Sequence, residues 1–183
     1  VDWVKFCFLI SISSGTVILL LSMISFLLKV ENFWPPPSKS SWQLKLFWVL
    51  FFLFSTPLFG IVILDFEKRN SNEVLFWFGI VFSVFALILA NLVSYKLGLK
   101  NTSGLKDTLR TEGWYSWSRN PVYTLTIATL VSLCVAIPTL EIAIISSLWI
   151  FLYLLAPFAE EPWLINKYGD EYRHYKGKVR RFI

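Results

Sequence analysis

The sequence predicts an all-α integral membrane protein with about five transmembrane helices and a cytoplasmic C-terminal amphipathic segment. Three observations carry that prediction. Of 183 residues 56% are apolar and only 16% charged, with a mean hydropathy of +0.61, against about 25% charged in an ordinary globular chain. The charges gather between long uncharged stretches, and the basic ones fall mostly on one side of the spans those stretches define. Such a chain cannot cover its own surface in water, which excludes a cytosolic enzyme, a disordered tail and a collagen-like repeat. Its length suits one domain.

A span needs about 20 apolar residues, and the uncharged stretches supply them in order. Residues 6–28 lie between Lys5 and Lys29, residues 46–64 between Lys45 and Asp65, and residues 74–95 between Glu73 and Lys96. The first is too long and too evenly apolar for a secretory signal and is kept as structure. Residues 121–159 carry one charge, Glu141, beside Pro138, in a stretch about twice the required length. This predicts a tight hairpin of two further helices. Residues 1–95 then form three N-terminal spans, and residues 96–183 a loop, hairpin and C-terminal segment that make the catalytic core of a single membrane domain.

Orientation follows from Lys and Arg in the connections. With the N-terminus outside, 14 of the 17 basic residues lie on the inner side, leaving Lys5, Lys68 and Arg69 outside. The C-terminus is then cytoplasmic, and the polar sequence available for chemistry, residues 96–120 and 160–183, lies there too. Trp34, Trp42, Trp48, Trp77, Trp114, Trp117 and Trp163 fall near span ends, as interfacial anchors do. The run Pro35, Pro36, Pro37 stiffens the first inner loop. A net charge of +5, spread between apolar spans, suits an anionic membrane surface and not nucleic acid. The partners expected are the lipid bilayer and a lipophilic small-molecule or lipidated acceptor.

Familiar soluble chemistry finds no support. The eight glycines never form a dinucleotide or phosphate-binding loop. Cys7, Cys134 and His174 stand too far apart for a metal centre or a disulfide framework, so no metal is expected. Two segments remain. In the first, Tyr115, Arg119, Asn120, Pro121 and Tyr123 cluster at a helix start. Asn120 reads as an N-cap, Pro121 as the first helical residue and Arg119 as an inner-side anchor, but two phenols at one helix mouth are left over. In the second, Glu160 and Glu161 end an apolar helix, where carboxylates are costly and become functional candidates unless the span simply stops there. Beyond them Leu164, Tyr168, Tyr172 and Tyr175 share one helical face, either an interfacial amphipathic helix or a lid over the mouth of the fourth span.

Together these segments resemble the isoprenylcysteine carboxyl methyltransferase and phospholipid methyltransferase family in its bacterial-type form. The matching elements are Gly113-x-Tyr115, Arg119-Asn120-Pro121-x-Tyr123, Glu160-Glu161, Gly169-x-x-Tyr172-x-x-Tyr175 and Arg180-Arg181, in family order over roughly the C-terminal 75 residues. The resemblance implies S-adenosyl-L-methionine as methyl donor, bound by the last two spans and the C-terminal segment without a Rossmann domain. It implies that Tyr115, Asn120, Pro121, Val122 and Tyr123 line the cofactor and that Glu160 faces its amino or sulfonium end. Asp107, Thr108, Leu109 and Arg110 match the adenosine-contacting strip, with Asp107 in place of the usual histidine. Asn120 replaces the histidine of eukaryotic members, which excludes a titrating base there. Ala156 stands where prenylcysteine enzymes carry an arginine for the substrate carboxylate.

The activity so implied is a membrane-integral S-adenosylmethionine-dependent methyl transfer, an in-line displacement in which the protein holds two reactants about 3 to 3.5 Å apart. An amine acceptor must first lose a proton. Glu161 is the expected base, with Asn120 beside it as the second catalytic candidate. A phospholipid amine N-methyltransferase, a non-catalytic membrane subunit and a membrane reductase of sterol type are the alternatives.

Overall fold

Lipid offers no hydrogen-bond partners, so each uncharged stretch satisfies its backbone internally by coiling. The computed structural model describes residues 2–28, 33–103, 105 and 108–182, which form helices and connecting turns with no strand. The three N-terminal spans are α1 (Trp3–Leu28), α2 (Trp42–Leu64) and α3 (Glu73–Leu97). Their ends follow local chemistry. The Ser41 hydroxyl accepts from Leu44 N at the start of α2, and Asn72 Oδ1 accepts from Val74 N and Leu75 N at the start of α3. Gly98, at φ +90°, ends α3 in a conformation an L side chain resists, and the single turn α4 (Leu99–Thr102) follows.

The predicted hairpin is present but unequal. Its arms are α5 (Pro121–Ala136) and α6 (Leu140–Tyr168), joined at Ile137, Pro138 and Thr139. At 16 residues, α5 is about 24 Å long and falls short of a full span. Among the described residues four helices are long and apolar enough to cross a membrane, α1, α2, α3 and α6. The span does not stop at Glu160 and Glu161: α6 runs through both to Tyr168, because partners from three other segments meet those carboxylates. Gly169, at φ +58°, then turns the chain into α7 (Asp170–Lys178).

Two close packings build the bundle, α1 along α2 and α3 along α5, with α6 touching α1, α2 and α5. Small residues permit them. A Cβ on Gly79 would lie 2.7 Å from Ser132 O, and one on Gly15 2.7 Å from the Phe54 ring. Serines add bonds between helices, Ser11 Oγ to Phe54 O at 2.6 Å and Ser83 Oγ to Thr129 O at 3.1 Å. The outer surface stays apolar, with Ile63 and Val74 about three-quarters exposed, as a lipid-facing surface is.

The connections segregate. Asn70 bonds to Ala136 O and Val135 O, placing the α2–α3 loop beside the α5–α6 turn at one end. At the other end the α1–α2 loop, residues 108–120 and residues 169–182 converge. That second end holds the polar cluster.

Candidate functional site

The first helix mouth forms where the chain leaves irregular residues 108–112 and turns through Gly113–Ser116 into Asn120 and Pro121. Ser118 is fully buried, and its hydroxyl accepts from Asn120 N at 3.2 Å. Pro121 occupies the first turn of α5, where its missing N–H costs nothing. Asn120 sits at the N-cap position, yet its side chain makes no capping bond. Its amide Nδ2 instead donates to Arg181 O at 2.8 Å. The capping reading is thus corrected: the amide is spent on the C-terminal segment.

Three further contacts bind that segment down. Arg119 N donates to Arg180 O at 2.9 Å, the Tyr175 hydroxyl donates to Tyr115 O at 2.7 Å, and Glu161 gathers three cations. Arg119 Nη2 lies 3.0 Å from Glu161 Oε1, Arg181 Nε 2.7 Å from the same oxygen, and Lys176 Nζ 2.7 Å from Oε2. Of the two arrangements that the Leu164, Tyr168, Tyr172 and Tyr175 face allowed, the lid is the observed one. Tyr172 and Tyr175 are buried, and all four residues line one cavity.

Glu160, one residue earlier, has different company. Trp34 Nε1 donates to its Oε1 at 2.6 Å, and the Tyr123 hydroxyl donates to the same oxygen at 2.5 Å. Both donors are neutral, and among the described residues no cation pairs with this carboxylate. Arg119 shows the converse deficit. Its side chain is only 8% exposed, and Nε and Nη1 are buried with no hydrogen-bond partner among the described residues.

Glu160 and Arg119 face the same cavity of about 170 Å³. Thr108, Leu109, Arg110, Tyr115, Asn120, Val122, Tyr123, Glu160 and Glu161 all line it, so the structure brings together nearly the whole set expected from the sequence. Pro121 is fully buried and does not line the cavity, and Asp107 falls outside the described residues. A second, open cavity of about 790 Å³ adjoins it along Leu97, Thr108, Leu109, Arg110 and Tyr115. Burial raises the phenols of Tyr115 and Tyr172 well above the usual tyrosine range and that of Tyr175 to about 12. These groups are neutral donors at any physiological pH. Among the described residues no group of His, Cys, Asp and Glu is arranged to hold a metal.

Trp34 and Arg119 also line the wall, and neither has a cofactor contact assigned from the sequence, where Arg119 belongs to the Arg-Asn-Pro-x-Tyr motif and is one of the cations able to substitute for the arginine absent at Ala156. Trp34 reads there as an interfacial anchor and Arg119 as an inner-side charge. The Trp34 contact joins residues 126 positions apart, and no local pattern encodes it.

No curated protein and no solved structure matches the chain. A family model does, that of phospholipid methyltransferase, over residues 74–171, which runs from the start of α3 into α7 and carries Tyr115, Asn120, Tyr123, Glu160 and Glu161. On that match, together with four helices fit to cross a membrane, the chain belongs to the phospholipid methyltransferase family and is a multi-pass membrane methyltransferase.

Proposed function

We propose that this methyltransferase uses S-adenosylmethionine to methylate a lipophilic or membrane-associated acceptor, at a site on the cytoplasmic face. One observation carries the reading: among the described residues, a single cavity holds a half-buried carboxylate without a cation and a buried guanidinium whose Nε and Nη1 have no acceptor. A carboxylate without a cation and guanidinium N–H groups without an acceptor are both costly away from water, and a ligand that carries a cationic centre and a carboxylate relieves both deficits at once. When bound, S-adenosylmethionine supplies an electrophilic methyl group on a sulfonium, whose C–S bonding pair leaves with the neutral thioether.

The chain's own residues divide the remaining work. Glu160 faces the positive end, and Arg119 takes the carboxylate through Nε and Nη1. Tyr115, Val122 and Tyr123 shape the wall, and Thr108, Leu109 and Arg110 form the strip toward the second cavity. Asn120 and Glu161 hold the C-terminal segment across the mouth, which excludes water and fixes geometry, the main contributions an in-line displacement asks for. We assign them to positioning, since each has its side chain committed to that segment. A phospholipid amine is favoured as acceptor by the family description and by Ala156, which offers no cation where a prenylcysteine enzyme places one.

The test gives purified protein methyl-labelled S-adenosylmethionine and a lipid extract, then searches by mass spectrometry for lipids that gain one labelled methyl group. Glu160→Gln is expected to weaken S-adenosylmethionine binding about ten-fold or more, since hydrogen bonds to charged groups contribute about 1.5 to 3 kcal/mol. Absence of S-adenosylmethionine and S-adenosylhomocysteine binding to the unaltered protein would overturn the reading.

A further inference from the structure

Glu160 owes one of its two donors to a part of the chain that the family model leaves out. Trp34 belongs to the α1–α2 loop, 40 residues before the match begins at position 74. Its indole N–H reaches Glu160 Oε1 at 2.6 Å. The loop is built to hold it there: Phe33 is 2% exposed, Pro35 and Pro36 are fully buried, and the Trp34 ring stacks on Phe47 of α2 at 4.1 Å between centroids. Trp34 and Pro35 also wall the cavity itself.

We infer that Trp34 is a positioning residue for the methyl donor, acting through Glu160, so that the first two helices complete a site whose other groups lie at or beyond α3. The inference rests on the cofactor reading above. Trp34 and Tyr123 both donate to Oε1, so two neutral donors hold one oxygen of the carboxylate and neither takes Oε2. A carboxylate held by one donor turns more freely, and preorganisation of the charge is lost. The indole is a donor with no acceptor lone pair, so it can hold a carboxylate but cannot compete with it for a cation. The proline run then has a purpose beyond stiffening a loop, since it fixes the height at which the indole meets α6.

The test is a double-substitution cycle read by calorimetric titration of S-adenosylmethionine into the full chain in detergent. Trp34→Phe keeps a ring on Phe47, removes the N–H donor and shortens the ring system. It is expected to lower the melting temperature of the ligand-free protein modestly, through lost packing, and to weaken binding about ten-fold. In a Glu160→Gln background the same substitution is expected to change affinity less than about two-fold, because the group it acts on has lost its charge. Unchanged affinity in Trp34→Phe, or an equal loss in both backgrounds, would overturn the inference while leaving the cofactor reading standing. Failure of the unaltered protein to bind overturns the cofactor reading and the inference with it. If Trp34→Phe does not fold, Trp34→Leu, which carries no donor and stays apolar against Phe47, is read by the same cycle.

Discussion

Arg119 and Glu161 form an ion pair in which the two side chains are only 8% and 7% exposed, with Arg119 Nη2 3.0 Å from Glu161 Oε1. The pair joins the mouth of α5 to the final helical span, and through Glu161 it also holds Arg181 and Lys176. One buried carboxylate therefore sets both the cavity wall and the segment that closes it.

Removing that carboxylate leaves a buried guanidinium without compensation. Breaking a buried pair from one side costs about 3 to 5 kcal/mol, so Glu161→Gln is expected to lower thermal stability severely. Arg181→Ala removes a partner that is about a third exposed and still leaves Glu161 two cations, so its cost is expected to be under about 1.5 kcal/mol. Thermal unfolding of the ligand-free protein in detergent measures both. Equal losses would show that Glu161 is not the centre of the cluster.

Arg119 has a second test that does not depend on activity. Two of its nitrogens are buried and unpartnered, and the proposal gives them the carboxylate of the methionine moiety. Decarboxylated S-adenosylmethionine lacks that group. The unaltered protein is expected to prefer the complete cofactor about ten-fold or more, in line with a charge-assisted contact, and Arg119→Gln to bind the two about equally. A preference that survives in Arg119→Gln would place the carboxylate elsewhere.

What the sequence made legible divides along physical lines. The spans were readable because apolar length and terminal charge are local properties, and Asn72 and Gly98 mark the ends of α3 as such residues do. The residues at the mouth of α5 and on α6 that line the cavity are readable as a pattern of types and spacings. The fate of Asn120 was not, since a residue at an N-cap position looks the same in sequence whether its amide caps a helix or reaches Arg181, 61 positions away. The end of α6 was misjudged for a related reason. Two glutamates stop a helix in lipid unless partners are supplied, and the partners Trp34, Lys176 and Arg181 come from distant segments.

The lid carries its own pH dependence. Tyr175 donates to Tyr115 O, and burial raises its phenol to about 12, above the ordinary value of about 10. The folded protein then keeps a proton that the unfolded chain gives up. Stability from this group is complete below about pH 10 and is lost as pH rises toward 12. Tyr175→Phe is expected to be less stable than the unaltered protein at pH 8 and to lose less on passing from pH 8 to pH 11. Melting temperatures at the two pH values check this, and equal alkaline losses would sink it.

Sidedness is tested by labelling. The expected five-span arrangement puts 14 of 17 basic residues on the side of the C-terminus, which argues for a cytoplasmic C-terminus, and Asn70 lies at the opposite end of the bundle from the lid. A cysteine at Lys178 is expected to react with an impermeant thiol reagent only from the cytoplasmic side, and one at Asn70 only from outside, in a Cys7→Ser, Cys134→Ser background. Labelling of both from one face would contradict the arrangement of loops.

Asn120 separates two readings of one position most sharply. At a true N-cap, Asp serves as well as Asn, because either side chain accepts a backbone N–H bond and a negative charge suits the helix N-terminus. Here the amide donates instead, to the carbonyl of Arg181. An aspartate there has no N–H to give and sets two acceptors against each other, while Asn120→Ser keeps a short donor and adds no charge. Asn120→Asp is therefore expected to be the more damaging change, by about 1 to 3 kcal/mol for a donor–acceptor contact broken with burial. It is expected to release the C-terminal segment, so that trypsin cuts after Arg180 and Arg181 faster than in the unaltered protein while the bundle stays intact. Neither effect arises if the side chain only caps α5. An Asn120→Asp protein with unchanged stability and unchanged protection at Arg180 would return Asn120 to the helix and remove it from the lid.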